Sequence, residues 1–485
     1  MKKTQKSLRR IITLCLLVTM LLPVLAACSK GTETGTTALN TDGLGTGYTV
    51  DLPPIDANGY EFRILDFDNF EQTLEDDPIT VVDQAVYKRN ELVKSRFNID
   101  ITAETKPYAT WWDNTSLVQR LASTEAPEYD LVTLVFKDAY AEVLVDDVVA
   151  ACDLPEIIDM SKPWHMTLLN EHMTVDGVQL MDFTAFDVKP GGSCLIFNKD
   201  LVDELNLDDP YAKVKNGTWT YDDMWAMAKA AIADLDNNPD WTEDDRYGFF
   251  NNWHQMTSFV HFGTGEMLVK LNDGTPSLNK SEGLVSVFMD AADNLSQDGM
   301  MFDVYGEWQK DSEASNTKGR QSFANGQAMF LVGGTGNLTE FGDMEADYGI
   351  LPYPKKNAEQ STYYSPASAV ISLILTCHTD VEFVAIVKEA LSVESLNYYH
   401  PAYYELTIQN RYLRDEIDLE MLKIITDTAV FDMGNTAWWV EIRNPIAEEV
   451  FQVGGTNFAS KLESLEPKVK GLISDLMTFV NSKKG

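Results

Sequence analysis

The stretch Gly319–Leu375, GRQSFANGQAMFLVGGTGNLTEFGDMEADYGILPYPKKNAEQSTYYSPASAVISLIL, decides how the rest of the chain is read. It opens as a helix ending near Asn325-Gly326, followed by a short apolar strand, Gln327–Val332, that stops at two glycines. A second helical turn precedes a strand at Asp347–Leu351, which Pro352 and Pro354 break. Proline cannot donate to a sheet ladder and pushes the residue before it into extended backbone. The chain therefore leaves its sheet at YGILPYP and, after a polar Tyr-rich loop, enters another apolar strand at Ala369–Leu375.

Three pieces recur in a set order and spacing: Phe323-Ala324-Asn325-Gly326-Gln327-Ala328-Met329, Tyr348-Gly349-Ile350-Leu351-Pro352, and Ala367-Ser368-Ala369-Val370. In that succession the segment resembles the bacterial extracellular solute-binding proteins of the family-1 type. The resemblance implies an α/β, two-lobed periplasmic-binding-protein-like fold of type II, with a ligand cleft between lobes joined by hinge crossovers. It also implies that the first piece lines the cleft and the second crosses between lobes. A further crossing is expected at Thr184–Gly192, between Asp176–Leu180 and Ser193–Asp200. Val178 and Leu180 depart there from the family's Lys and Tyr, and Pro190-Gly191-Gly192 provides hinge freedom.

Residues 1–27 read as a secretion signal, with Lys2, Lys3, Lys6, Arg9 and Arg10 before the apolar run Ile11–Leu25. That run is too short for a membrane span. It ends Leu25-Ala26-Ala27-Cys28, which resembles a bacterial lipobox and implies lipidation of Cys28. Residues 28–57 then form a Gly/Thr/Ser-rich flexible tether. The expected division is 58–188 with 350–430 for the N-terminal lobe and 189–349 with 431–485 for the C-terminal lobe. The chain carries a net −37, and removing the five bases of the leader leaves about −42. So acidic a surface argues against nucleic acid as a partner, and against the membrane except through the lipid. Cys152, Cys194 and Cys377, an odd number in apolar surroundings, read as buried thiols rather than a disulfide framework.

Tyr60–Phe67 reads as the first strand, with helix Val81–Phe97 and a second strand after it. Tyr129–Val135 is near-continuously apolar, as a doubly covered parallel strand is. Thr220 and Asp223 form a capping box for a helix carrying Met224, Trp225 and Ala228 on one face. Trp253, Tyr305 and Trp308 fall in loops. The last helix, Ala459–Val480, packs back on the second lobe.

The loop Asp234–Asp245 places the oxygen side chains of Asp234, Asp236, Asn238, Thr242 and Asp245 at EF-hand positions 1, 3, 5, 9 and 12, with apolar Trp241 at position 8. Pro239 stands where that loop needs glycine, and Asp245 where it uses glutamate. Two readings stay open: a structural calcium site (Asp234, Asp236, Asn238, Asp240, Asp245), the one cofactor considered, and a solvated acidic turn.

No nucleophile elbow, zinc-binding HExxH, CxxC or phosphate loop is present, and the six histidines show no metal spacing. The chain is therefore read as a non-enzyme. Sugar rings have apolar faces and a belt of hydroxyls, so their sites combine flat aromatics with small polar groups. The candidate ligand contacts are Asp66, Phe67, Thr133, Phe136, Phe186, Trp253, Gly334, Thr335, Tyr363, Tyr364, Trp438 and Trp439. Gly333-Gly334-Thr335 matches a place where a maltodextrin-binding family member carries an aromatic, which argues against a maltodextrin here. The expectation is a monomeric, lipid-anchored protein on the outer face of the cell membrane. It captures a carbohydrate, an oligosaccharide, for the permease subunits of an ABC importer. The alternatives are a peptide or other nutrient as ligand, or a surface sensor or adhesin on the same fold.

Overall fold

The computed structural model describes residues 45–67, 80–106, 114–304, 312–341, 344, 346–367, 370–409, 413, 415–452 and 457–484, all within one compact unit, Thr41–Gly485. The leader, Cys28, Trp111, Trp112, Tyr305, Trp308 and the side chain of Phe67 lie outside the described residues.

Two sheets organise the chain. The main strands are β1 Tyr60–Phe67, β2 Ile99–Lys106, β3 Leu131–Val135, β4 Ser193–Asn198, β5 Tyr247–Asn251, β6 Met301–Asp303, β7 Ala328–Gly334, β8 Tyr348–Leu351, β9 Ser365–Pro366, β10 Val370–Leu373 and β11 Ala429–Val430. The first lobe holds the order β10-β3-β1-β2 and the second β6-β5-β7-β4-β8. Strands β1, β2 and β3 are parallel and β10 runs against them, so Val370 enters the sheet opposite Val135, the last residue of β3. In the second sheet β4 runs against β7, and Ser193 enters opposite Gly334. Both sheets thus receive incoming chain at the carboxyl ends of their parallel strands, the ends at which open α/β sheets bind ligands.

The helices used below are α1 Val81–Phe97, α2 Thr115–Ala122, α3 Phe136–Leu144, α4 Tyr221–Ala231, α5 Trp253–Gly263, α6 Glu282–Leu295, α7 Ser312–Ala324, α8 Val381–Glu394, α9 Glu416–Asp427, α10 Arg443–Ala447 and α11 Phe458–Lys483. The capping box read in sequence forms at α4, and the structure adds a second at α1 through Thr80 and Asp83. Thr220→Ala is expected to cost about 1 kcal/mol, since it orphans the first-turn N–H that Thr220 accepts; a urea melt reads it directly. Trp219, just before α4, is fully buried and donates its indole N–H to Pro352 O at 3.2 Å. It is core, as its neighbours in the sequence implied.

Three segments run between the sheets. Thr184–Gly192 leads into β4. The chain leaving β8 passes Tyr353 and Lys355, pairs β9 with β11, and then enters β10. The third segment, around β11, bonds to the other two: Ala367 N–H reaches Val430 O at 3.0 Å and Gly191 N–H reaches Thr426 Oγ1 at 2.8 Å. Gly191 has φ +112°, a conformation that favours glycine.

Several expectations change. Helix α9 packs on β8, Asp418 accepting from Ile350 N–H at 3.1 Å and from Tyr211 OH at 2.5 Å. It therefore sits on the second sheet, although the division placed residues 350–430 with the first lobe. Trp253 opens a helix rather than lying in a loop, because the Asn252 side chain caps it by accepting Gln255 N–H at 3.0 Å. Helix α11 is longer than expected and does not keep to the second lobe: Lys483 pairs with both Asp146 and Asp153 at 2.8 Å. Cys194 is buried and Cys377 half-buried, but Cys152 is exposed, since Ala151–Asp153 is a surface turn and not a strand.

Candidate functional site

The first lobe contributes a buried polar row. Asp66, at the end of β1, is fully buried one step beyond the Leu65–Val132 pair, and Thr133 is fully buried on β3. Thr133 Oγ1 lies 3.1 Å from Ser372 Oγ on β10. The Ser372 N–H continues the row to Asp187 Oδ1 at 2.8 Å. Below it, Lys388 Nζ reaches Asp187 Oδ2 at 3.0 Å, while His165 lies between Asp182 at 2.8 Å and Glu389 at 3.2 Å. A cavity of about 30 Å³ under α8 is lined by Asp182, Thr184, Ser372, Lys388 and Glu389. It is internal to the first lobe and not a ligand cleft.

Burial opposes charge on His165, but the hydrogen bonds to Asp182 and Glu389 prevail and hold its pKa up at about 9. An ordinary histidine titrates near 6.5. With the folded value raised, the stabilisation is complete below about 6.5 and is lost as pH rises through about 9. The melting temperature is expected to fall across that window, and His165→Asn to flatten the fall in a pH series of thermal melts.

The other candidates divide into those at the meeting of the lobes and those away from it. Phe136 stacks on Phe183 at 5.9 Å and touches Phe431 of the third segment at 4.9 Å, a buried aromatic knot where segments meet. Gly334 N–H is held by Asn337 Oδ1 at 2.9 Å, and Thr335 Oγ1 accepts from Gly192 N–H at 3.3 Å. Both therefore belong to the crossing. Trp438 is buried edge-on to Tyr140 at 6.1 Å, whereas Trp439 is half-buried with the Arg443 guanidinium 4.9 Å over its ring. Trp253 is half-buried and stacks on Phe451 at 5.4 Å. Phe186 lies in the first-lobe core under Arg89. Tyr363 donates to Val214 O at 3.2 Å, and the half-buried Tyr364 packs on Gly265, so this pair sits on the flank of the second lobe.

Sequence reasoning missed the polar residues at the carboxyl ends of β5 and β7. Asn251, Gln255, Arg320, Gly333 and Asn337 line a cavity of about 20 Å³, room for roughly one water. Asn251 locks the two strands together, donating to Val332 O and accepting Val332 N–H, both at 2.9 Å. Beside α5, Asn435 Oδ1 accepts from Ser258 Oγ at 2.7 Å and lies 3.3 Å from His261 Nε2. The one legible signal was Arg443, four residues after Trp439, a spacing that brings side chains together on a helical turn.

In the Asp234–Asp245 loop the carboxylates of Asp234, Asp236 and Asp245 gather within 4.8 Å of one another. Asn238 and Asp240 are exposed and outside that group, Asn238 Oδ1 accepting from Asp240 N–H at 3.2 Å. Asp245 is buried, its two oxygens accepting from Leu235 and Thr242 N–H at 3.0 and 2.8 Å. These bonds close the loop through its own side chains.

Two α/β lobes whose sheets turn their strand ends to a three-segment junction have the architecture of the two-lobed binding class. Residues 91–386 match the profile described as bacterial extracellular solute-binding protein, and the chain belongs to that family. The fold is similar to that of a sugar transporter from Rhizobium etli in an open conformation, with TM-score 0.56 and 16% identity over 85% of this chain and 99% of that one. It is also similar to the maltose/maltodextrin-binding domain MalE from Bdellovibrio bacteriovorus bound to maltotriose, with TM-score 0.51 and 14% identity over 85% and 100%. A third similar structure is UspC from M. tuberculosis, with TM-score 0.56 and 13% identity over 84% and 98%. Comparison with curated protein sequences finds no match. Among the described residues no helix is long and apolar enough to cross a membrane.

Proposed function

We propose that this solute-binding protein captures a carbohydrate, an oligosaccharide, outside the cell and hands it to the permease subunits of an ABC importer. In this reading it acts as a monomer, without catalysis of its own, tethered through a lipid on Cys28. The observation that carries the reading is that half-buried tryptophans and side-chain amides occur on one packed pair of helices. Trp253 opens α5 and Trp439 precedes α10, the two helices pack together, and α5 also carries Gln255 and holds Asn435 through Ser258. Flat rings suit the C–H face of a pyranose, and the amides suit its hydroxyls. Two of the three similar structures are named for sugars, which supports the same ligand class.

The test is a thermal-shift screen of residues 29–485 against mono- and oligosaccharides, short peptides and calcium, since a ligand of the native state raises its melting temperature. A rise with one sugar family is expected, and Trp439→Ala is expected to weaken that sugar roughly ten-fold or more by calorimetry. A rise with peptides alone overturns the carbohydrate reading and leaves solute capture in place. A rise with calcium alone assigns a structural ion to the Asp234–Asp245 loop.

A further inference from the structure

Arg443 opens α10 and is half-buried. Its guanidinium lies over Trp439, and Nε and Nη2 both donate to Asn444 Oδ1, at 3.2 and 3.0 Å. A guanidinium carries five N–H donors. The remaining three, two on Nη1 and one on Nη2, have no hydrogen-bonded acceptor among the described residues. No carboxylate pairs with Arg443 there either, in a chain with 75 acids against 38 bases. Lys199, Arg246, Arg320 and Lys388 each pair with an acid.

The surroundings sharpen the anomaly. The nearby histidines of α5 are neutral: burial, with the Arg443 charge behind it, lowers His254 to about 4, and burial lowers His261 to about 3. Of the acids in this segment, Asp432 is taken by the N–H groups of Leu268, Val269 and Gly434 and faces His261 at 3.5 Å, and Glu441 lies 3.8 Å from Lys468. Burial holds the Arg443 pKa down at about 10, so it is charged at neutral pH. A partly desolvated cation without a counter-ion is costly, and a guanidinium edge matches a carboxylate with two parallel hydrogen bonds.

We propose that Arg443 is the anion-recognising residue of the ligand site, so that the captured oligosaccharide is acidic, its uronic-acid carboxylate on the Arg443 guanidinium. This rests on the carbohydrate reading and narrows it. Calorimetry with trimers of galacturonate, glucuronate and mannuronate, each beside its carboxyl-reduced counterpart, tests it on the unaltered protein. One acidic trimer is expected to bind about ten- to a hundred-fold tighter than its reduced form, the scale of a charge-assisted hydrogen bond. Arg443→Gln should remove that preference, the acidic trimer then binding no tighter to the variant than its reduced form does, and Arg443→Lys should restore part of it. Thermal melts of both variants report folding, and the reduced-trimer comparison needs no variant.

Equal binding of acidic and reduced trimers, or a preference that survives Arg443→Gln, overturns the proposal and leaves the carbohydrate reading standing. Binding of an acidic tripeptide with no saccharide binding at all overturns both.

Discussion

Asp187→Ala is expected to lower the unfolding free energy by about 3–5 kcal/mol, the scale of breaking a buried ion pair from one side. Asp187 is fully buried and accepts from four donors: Ser372 N–H at 2.8 Å, Thr184 N–H at 3.1 Å, Thr184 Oγ–H at 2.9 Å and Lys388 Nζ at 3.0 Å. Removing the carboxylate orphans the two backbone donors and leaves Lys388 with carbonyls alone, Ser372 O at 2.7 Å and Asp182 O at 3.4 Å. Because Ser372 belongs to β10 and Thr184 to the crossing, the loss loosens the first sheet and the hinge together. The double variant Asp187→Leu with Lys388→Met should recover part of the deficit in urea unfolding, since the stranded charge is gone. A deficit below about 1 kcal/mol for Asp187→Ala would show that water replaces the carboxylate.

Gly191→Ala should be the most damaging single-atom-scale change at the junction. At φ +112° an L side chain is strained, and the added Cβ would overlap Thr335 Oγ1. Strain of this kind costs about 1–3 kcal/mol, and the overlap about as much again. The damage should exceed that of Gly336→Ala, where an added Cβ meets nothing within 4 Å. Thr335→Ala in the Gly191→Ala background should recover the overlap part and not the strain part. Thermal melts of the three variants separate the two contributions, and equal melting of Gly191→Ala and the parent would refute the argument.

The elements were legible where local signals were strong. Strand Tyr60–Phe67 and helix Val81–Phe97 form over the residues that periodicity indicated. The order of pieces in Gly319–Leu375 carried the two-lobed fold. Less legible was anything decided by tertiary packing. Helix α9 follows its lobe through Asp418, a single buried acid whose partners lie 68 and 207 residues away in sequence. Trp253 looked like a loop residue because the cap on Asn252 is hidden behind an apolar strand. Aromatic chemistry alone did not separate Phe136 and Phe186, which are core, from Trp253 and Trp439, which are half-buried. That difference is one of neighbours, and neighbours are set by the fold. For Arg443 only its spacing from Trp439 was legible, because the absence of an acidic partner among the described residues is set by the fold.

Helix α11 has 26 residues, a rise of roughly 39 Å, with Pro467 inside it. Near one end Glu463 and Glu466 grip Lys280 of the second lobe at 3.0 and 2.9 Å, and Phe458 packs on Phe288. At the other, Lys483 is clamped between Asp146 and Asp153 beside α3. A strut of fixed length fastened at both ends lets two bodies swing about it but not draw apart along it. The weaker fastening is the lysine clamp, whose partners are exposed and worth about 1 kcal/mol or less apiece. Ionic strength therefore weakens that clamp, while Leu476, Phe479 and Val480, buried near the same end, keep their apolar packing at any salt.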